Sequence, residues 1–148
     1  MLFLDVDGTI LPFGGGAPIT SPERGGNPLL ARLDPEQGSR LAALGCEIVW
    51  ATTWMGEANE VLSPLLGFGP LPVVEWSDSD DDPRLHWKTR DLARWAAGRP
   101  FVWVDDEIGE ADRAWVAAHH PAPALLQRVD PAVGLTAAGL AAIRSWLQ

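Results

Sequence analysis

Asp5 and Asp7 are the first residues of this 148-residue chain with chemistry to offer. They are one residue apart, follow the apolar run Leu2-Phe3-Leu4, and are followed by Gly8 and Thr9. The run reads as a strand buried on both faces of a parallel sheet, and Gly8 supplies the turn at its end. Two carboxylates at such an edge repel each other, so a fold that keeps them needs compensating positive charge, usually a cation. A second acidic pair, Asp105-Asp106, ends the apolar run Phe101-Val102-Trp103-Val104. Thr52 ends Ile48-Val49-Trp50-Ala51 in the same way. Each alone is weak, because a strand can end in a solvated acidic turn and threonine suits strands anyway. In this order, after a DVDGT start, they carry weight together.

Lys88 is the chain's only lysine, beside ten arginines. Leu85 to Ala97 reads as an amphipathic helix on which Leu85, Lys88, Leu92 and Trp95 share one face. A lysine there can snorkel past the core edge to water; beside four carboxylates, an inward ammonium is better read as a cation of the site.

The elements that must bring these residues together alternate along the chain. A turn-rich loop follows Thr9, and Asn27 caps a short helix to Arg32. Asp34-Pro35 opens a helix to about Leu44, ended by Gly45. Cys46–Ala51 is a second strand, and 56–66 a helix kinked or shortened by Pro64. Leu71–Glu75 is a short third strand, followed by an acidic loop over Asp78 to Asp82. After the Lys88 helix come the strand at 101–104, a helix from Ile108 to His119, a fifth strand over Ala124–Val129 and a last helix capped by Thr136. This order predicts one three-layer, Rossmann-like α/β domain over 1–148 with a mainly parallel five-stranded sheet. Ligands of such sheets bind at the carboxyl ends of the strands, where Asp5, Asp7, Thr52, Asp105 and Asp106 all stand, with Lys88 near a helix start at the same edge.

The composition, 47% hydrophobic and 21% charged, is that of a globular protein. A net charge of −9 offers no basic face for nucleic acid. One cysteine, Cys46, fits a reducing compartment. No apolar run approaches the ~18 residues of a membrane span, and a strand beginning at Met1 leaves no room for a cleavable signal. The expected location is cytoplasmic.

The four motifs, Leu2-Phe3-Leu4-Asp5-Val6-Asp7-Gly8-Thr9, Ile48-Val49-Trp50-Ala51-Thr52, Lys88 and Phe101-Val102-Trp103-Val104-Asp105-Asp106, resemble those of the haloacid dehalogenase (HAD) superfamily of phosphohydrolases. Trp50-Ala51-Thr52-Thr53-Trp54 followed by Ala58-Asn59 is similar to a bacterial subgroup associated, through domain context, with RNA repair. The resemblance implies a Mg²⁺-dependent phosphatase with Asp5 as nucleophile and an aspartyl-phosphate intermediate. It implies Asp7 as general acid and base, Thr52 as a phosphoryl ligand and Lys88 as a charge neutraliser. The metal ligands would be Asp5, the carbonyl of Asp7, and Asp105 or Asp106.

Only 36 residues separate Thr9 from the second strand, and 35 separate Thr52 from Lys88. Neither segment holds a large cap domain, so the expected site is open. The substrate is then a phosphorylated small molecule or a macromolecular end; nucleic acid is possible, although the net charge does not favour it. A non-catalytic, Mg²⁺-dependent anion-binding module is the remaining alternative. The Asp78–Asp82 loop reads as a solvated acidic loop rather than a second cation site. Trp54 and Trp87, near the expected mouth, are placed either to stack a base or sugar or to pack against the loop.

Overall fold

A computed structural model of the protein describes residues 1–14, 28–78 and 82–148. Strand β1 spans Leu2–Leu4, three apolar residues with no surface exposed. It lies between β2 (Ile48–Trp50) and β3 (Phe101–Asp105), and β4 (Ala124–Arg128) completes the sheet in the order β2-β1-β3-β4. All three pairings are parallel, with Leu4 opposite both Trp50 and Val104.

Alternation along β1 divides the core into two layers. Leu2 and Leu4 face a cluster that includes Leu41 of α1 (Glu36–Ala42), Leu66 of α2 (Ser63–Leu66), and Leu140 and Ile143 of α5 (Ala137–Leu147). Phe3 faces the opposite cluster, with Leu92 and Ala96 of α3 (Thr89–Ala96) and Val116 of α4 (Glu110–His119). Helices therefore cover both faces of a parallel sheet, as the alternating pattern implies.

Among the described residues the sheet has four strands rather than five. The segment expected as a third strand touches the sheet through one bridge, Trp50 with Val73, and two flanking backbone hydrogen bonds. Pro70 and Pro72 explain this, because neither has an N–H to donate to a ladder. The helix expected over 56–66 changes character along its length. A π-helical turn, Ala58–Leu62, precedes α2, and Pro64 falls in the first turn of α2, where a missing N–H costs little. The helix expected from Leu85 begins later: residues before it form turns, and Lys88 is the N-cap of α3.

A 3-10 turn over Pro28–Arg32 follows the loop after β1; the cap expected at Asn27 lies outside the described residues. No helical cap unit interrupts the described residues between β1 and β2 or between β2 and α3. Among the described residues, no helix is long and apolar enough to cross a membrane.

Candidate active site

The site is built where β1 and β3 end side by side, at the point where the chain leaves β1 for β2 on one side and β3 flanks it on the other. Asp5 follows the last residue of β1, its N–H held by the Val104 carbonyl at 3.1 Å. The chain then turns tightly. The Val6 carbonyl accepts the N–H groups of Thr9, Ile10 and Leu11 at 3.0, 3.0 and 3.1 Å. Gly8 sits at φ +79°, where L side chains are strained. A Cβ there would lie 2.5 Å from Oδ2 of Asp106, so glycine also lets the acidic pair approach the turn. The turn brings the Thr9 hydroxyl back to donate to Oδ2 of Asp5 at 3.0 Å.

Lys88 reaches the other oxygen of Asp5. Its Nζ donates to Oδ1 of Asp5 at 2.8 Å and to Oδ2 of Asp105 at 2.7 Å, and the residue is only 4% exposed. The snorkelling reading is thereby set aside, since the ammonium lies between two buried carboxylates. Asp105 is also fixed by the Trp103 indole N–H at 3.3 Å and the Glu107 N–H at 3.0 Å. Asp5, Asp105 and Asp106 each offer a carboxylate oxygen, all within 4.8 Å of one another.

Three carboxylates cluster here, of which the ammonium contacts only Asp5 and Asp105, and the electrostatics follow from that imbalance. Burial alone would favour neutral Lys88, but Asp5 and Asp105 outweigh it and hold the ammonium charged, above its usual range. Burial raises the Asp5 carboxyl; Lys88 pulls it back and Asp105 pushes it up again. Asp106 is pushed up to about 7 by burial, by its hydrogen bond with Asp105, and by the charges of Asp5 and Asp105. A neutral-range carboxylic acid beside two other acids marks a place short of positive charge. Hard carboxylate oxygens clustered around that deficit could hold a metal cation.

Asp7 and Thr52 stand beside this cluster rather than in it. The Trp54 indole N–H lies 3.3 and 3.2 Å from the two carboxylate oxygens of Asp7. The Asp7 side chain is outside the three-carboxylate group. Thr52 is buried at the end of β2, its hydroxyl oxygen accepting the Trp54 N–H at 3.2 Å, which leaves the hydroxyl proton as a donor. Trp54, which also packs against the core, thus links two of the residues singled out from the sequence by hydrogen bonds.

Sequence reasoning did not identify Asp112. Its buried carboxylate accepts the His86 N–H at 2.8 Å and the Thr89 hydroxyl at 2.7 Å on one oxygen, and the Gly109 N–H at 2.8 Å on the other. It ties the start of α3 to the start of α4 and so sets where Lys88 emerges. His86 assists, with Nδ1 accepting the Lys88 N–H at 3.1 Å. This fixes the tautomer that carries its proton on Nε2, which lies 3.2 Å from Glu107. Thr9, part of the opening motif, likewise had no role assigned to it. In the acidic loop, residues 79–81 lie outside the described residues; Asp82 pairs with Arg84 at 3.0 Å, which lowers its carboxyl to about 2.

A parallel sheet flanked by helices, with acids at the ends of two adjacent strands bridged by a buried lysine, defines a HAD-type domain. Residues 1–140 match the HAD domain in Swiss Army Knife RNA repair proteins, and the chain belongs to that family. Membership implies a phosphohydrolase-type or repair-related role. HAD domains typically use a metal ion, and the Asp5–Asp105–Asp106 cluster could bind one. Neither the curated proteins nor the solved structures contain a match to this chain.

Proposed function

We propose that this protein is a Mg²⁺-dependent phosphomonoester hydrolase that works through a phosphorylated Asp5. The observation that carries the proposal is the Lys88 ammonium held between Asp5 and Asp105, with Asp106 short of countercharge beside them. Asp5, Asp106 and the backbone at Asp7 would hold the metal. Asp105 already accepts from Lys88, Trp103 and Glu107, so it serves Lys88, while Asp106 is the carboxylate left for a cation. Bound Mg²⁺ would supply positive charge to offset the repulsion between a carboxylate and a phosphate dianion.

The chain's own residues account for the remaining steps. Thr9 and Lys88 hold the two oxygens of Asp5, so the carboxylate is oriented before substrate arrives. Asp5 attacks phosphorus, and the bond to the leaving oxygen breaks. Asp7, positioned by the Trp54 indole, gives its proton to that oxygen. Asp7 then takes a proton from the water that attacks the aspartyl-phosphate, which releases inorganic phosphate and restores the Asp5 carboxylate. The Thr52 hydroxyl and the Lys88 ammonium hold charge that grows on the phosphoryl oxygens.

Substrate follows from access and from family. The described residues place no cap unit over the strand ends, which leaves room for a large substrate. The family description supports a phosphate at a broken RNA end. The net charge of −9 argues against strong unaided binding of a polyanion, so a partner or adjoining basic module would hold the rest of such a strand. A panel of phosphomonoesters, including a 3′-phosphorylated oligonucleotide and free nucleotides, should release phosphate with Mg²⁺ and not with EDTA. Asp5→Asn should abolish release. A wild-type protein that turns over nothing on the panel, while Asp5→Asn binds the same compounds equally well, would replace the enzyme with a binding module.

A further inference from the structure

Trp87 is an exposed aromatic residue next to the site's cation. Isolated apolar residues on a surface need no explanation, but this one has a particular setting. Its ring centroid lies 5.5 Å from Nζ of Lys88 while the residue stays 44% exposed. The ring is also held. His86 stacks against it at 5.3 Å and 29°, and Trp76 meets it edge-on at 4.8 Å and 82°.

The two holders are themselves anchored to the residues assigned to the phosphoryl group. Trp76 donates its indole N–H to the Thr52 carbonyl at 3.1 Å. Its neighbour Ser77 is bound to buried Asp91 of α3 through the backbone N–H at 3.0 Å and the hydroxyl at 2.9 Å. His86 accepts the Lys88 N–H. An aromatic surface fixed in this way loses little freedom when a ligand settles on it.

We infer that Trp87 is a stacking platform for the base of a nucleotide whose phosphate lies at Asp5 and Lys88. The inference rests on the phosphatase reading of that site and names its substrate class: phosphomonoesters whose leaving group carries a nucleobase. Stacking accepts every base, because each has a π-face. A sugar phosphate without a base gains nothing from the ring. Such a contact also needs no basic surface, which suits a chain of net charge −9. The nucleotide can come from a free mononucleotide or from the end of a polynucleotide.

The test compares ligands that differ only in the base. Binding of adenosine 5′-monophosphate and of ribose 5-phosphate is measured by calorimetry with Mg²⁺ on Asp5→Asn, which keeps the side chain's size and prevents turnover. The nucleotide should bind about 5- to 150-fold more tightly, the range for one base–aromatic stack. Adding Trp87→Ala should remove most of that preference. Trp87→Phe should retain most of it, and Trp87→Leu serves where the alanine variant fails to fold. A 3′-phosphorylated tetranucleotide that binds more tightly than the mononucleotide assigns the source to a strand end; equal binding assigns it to free nucleotides. A purely structural role for Trp87 would weaken both ligands together. Equal affinity for nucleotide and sugar phosphate, or a preference that survives Trp87→Ala and Trp87→Leu, overturns the inference. Because binding is read without turnover, an inactive wild type would count against the phosphatase reading and leave this result standing.

Discussion

Replacing Lys88 with methionine removes the site's ammonium while nearly conserving volume. The ammonium has two carboxylate partners at 2.8 and 2.7 Å, and both partners are buried. Removing one member of such a buried arrangement leaves uncompensated charge and costs about 3–5 kcal/mol, a large part of the ~5–15 kcal/mol that typically holds a domain folded. The remaining acids can escape part of that cost by binding protons. The Asp5 and Asp106 carboxyls, already raised by burial, rise further without the ammonium, so the variant's stability should fall as pH rises from about 5 to 8. Urea unfolding of metal-free protein at the two ends of that range measures the difference. Lys88→Met with Asp5→Asn should recover part of the loss, since one repelling charge is gone. Added Mg²⁺ should rescue the folding of the single variant, while its turnover stays down by about 10²–10³-fold for want of a charge at the phosphoryl group. If metal-free Lys88→Met were as stable as wild type at pH 8, the lysine would not be the counterion of this cluster.

Three more outcomes follow from the same geometry. Asp106 has a folded pKa of about 7 against an ordinary 3.8, so the proton it keeps when folded favours the fold at low pH. That contribution fades as pH climbs from about 4 through 7; the melting-temperature gain on adding Mg²⁺ should therefore be larger at pH 7.5 than at pH 5.5. Gly8→Ala should cost about 1–2 kcal/mol for the left-handed backbone. Because its Cβ would meet Asp106 at 2.5 Å, it should also weaken Mg²⁺ binding, read by calorimetry. Asp112→Ala strands three donors and should lower stability by about 2–4 kcal/mol; in folded protein it should lower kcat by loosening Lys88, with Asp112→Asn retaining more of both.

The parts of the site readable from sequence are those whose signal is local. An apolar run that stops at an acid marks both a buried strand and its end, which is why Asp5 and Asp105 stand where the runs containing Leu4 and Val104 placed them. Lys88 points inward as its spacing suggests, but for a different reason. It precedes α3 as its N-cap and is drawn in by two carboxylates rather than carried on an apolar stripe. Leu71, Val73 and Val74 look like residues of a third strand, but Pro70 and Pro72 remove the donors a ladder needs, and only one bridge forms. Asp112 was unreadable. An acid in the first turn of a helix reads as an ordinary dipole or capping residue, and its partners His86 and Thr89 lie 26 and 23 residues away. Trp54 is similar: its indole meets Asp7 across 47 residues, a contact that spacing along the chain does not signal.

The central claim is that Asp5 carries the phosphoryl group. Rapid acid quench of enzyme, Mg²⁺ and ³²P-labelled substrate in a single turnover tests it most directly. A covalent label that hydroxylamine removes, maps to the peptide containing Asp5 and is absent from Asp5→Asn is the result this account predicts. Phosphate release that proceeds at full rate in Asp5→Asn, or with no protein-bound label at any time point, would contradict it.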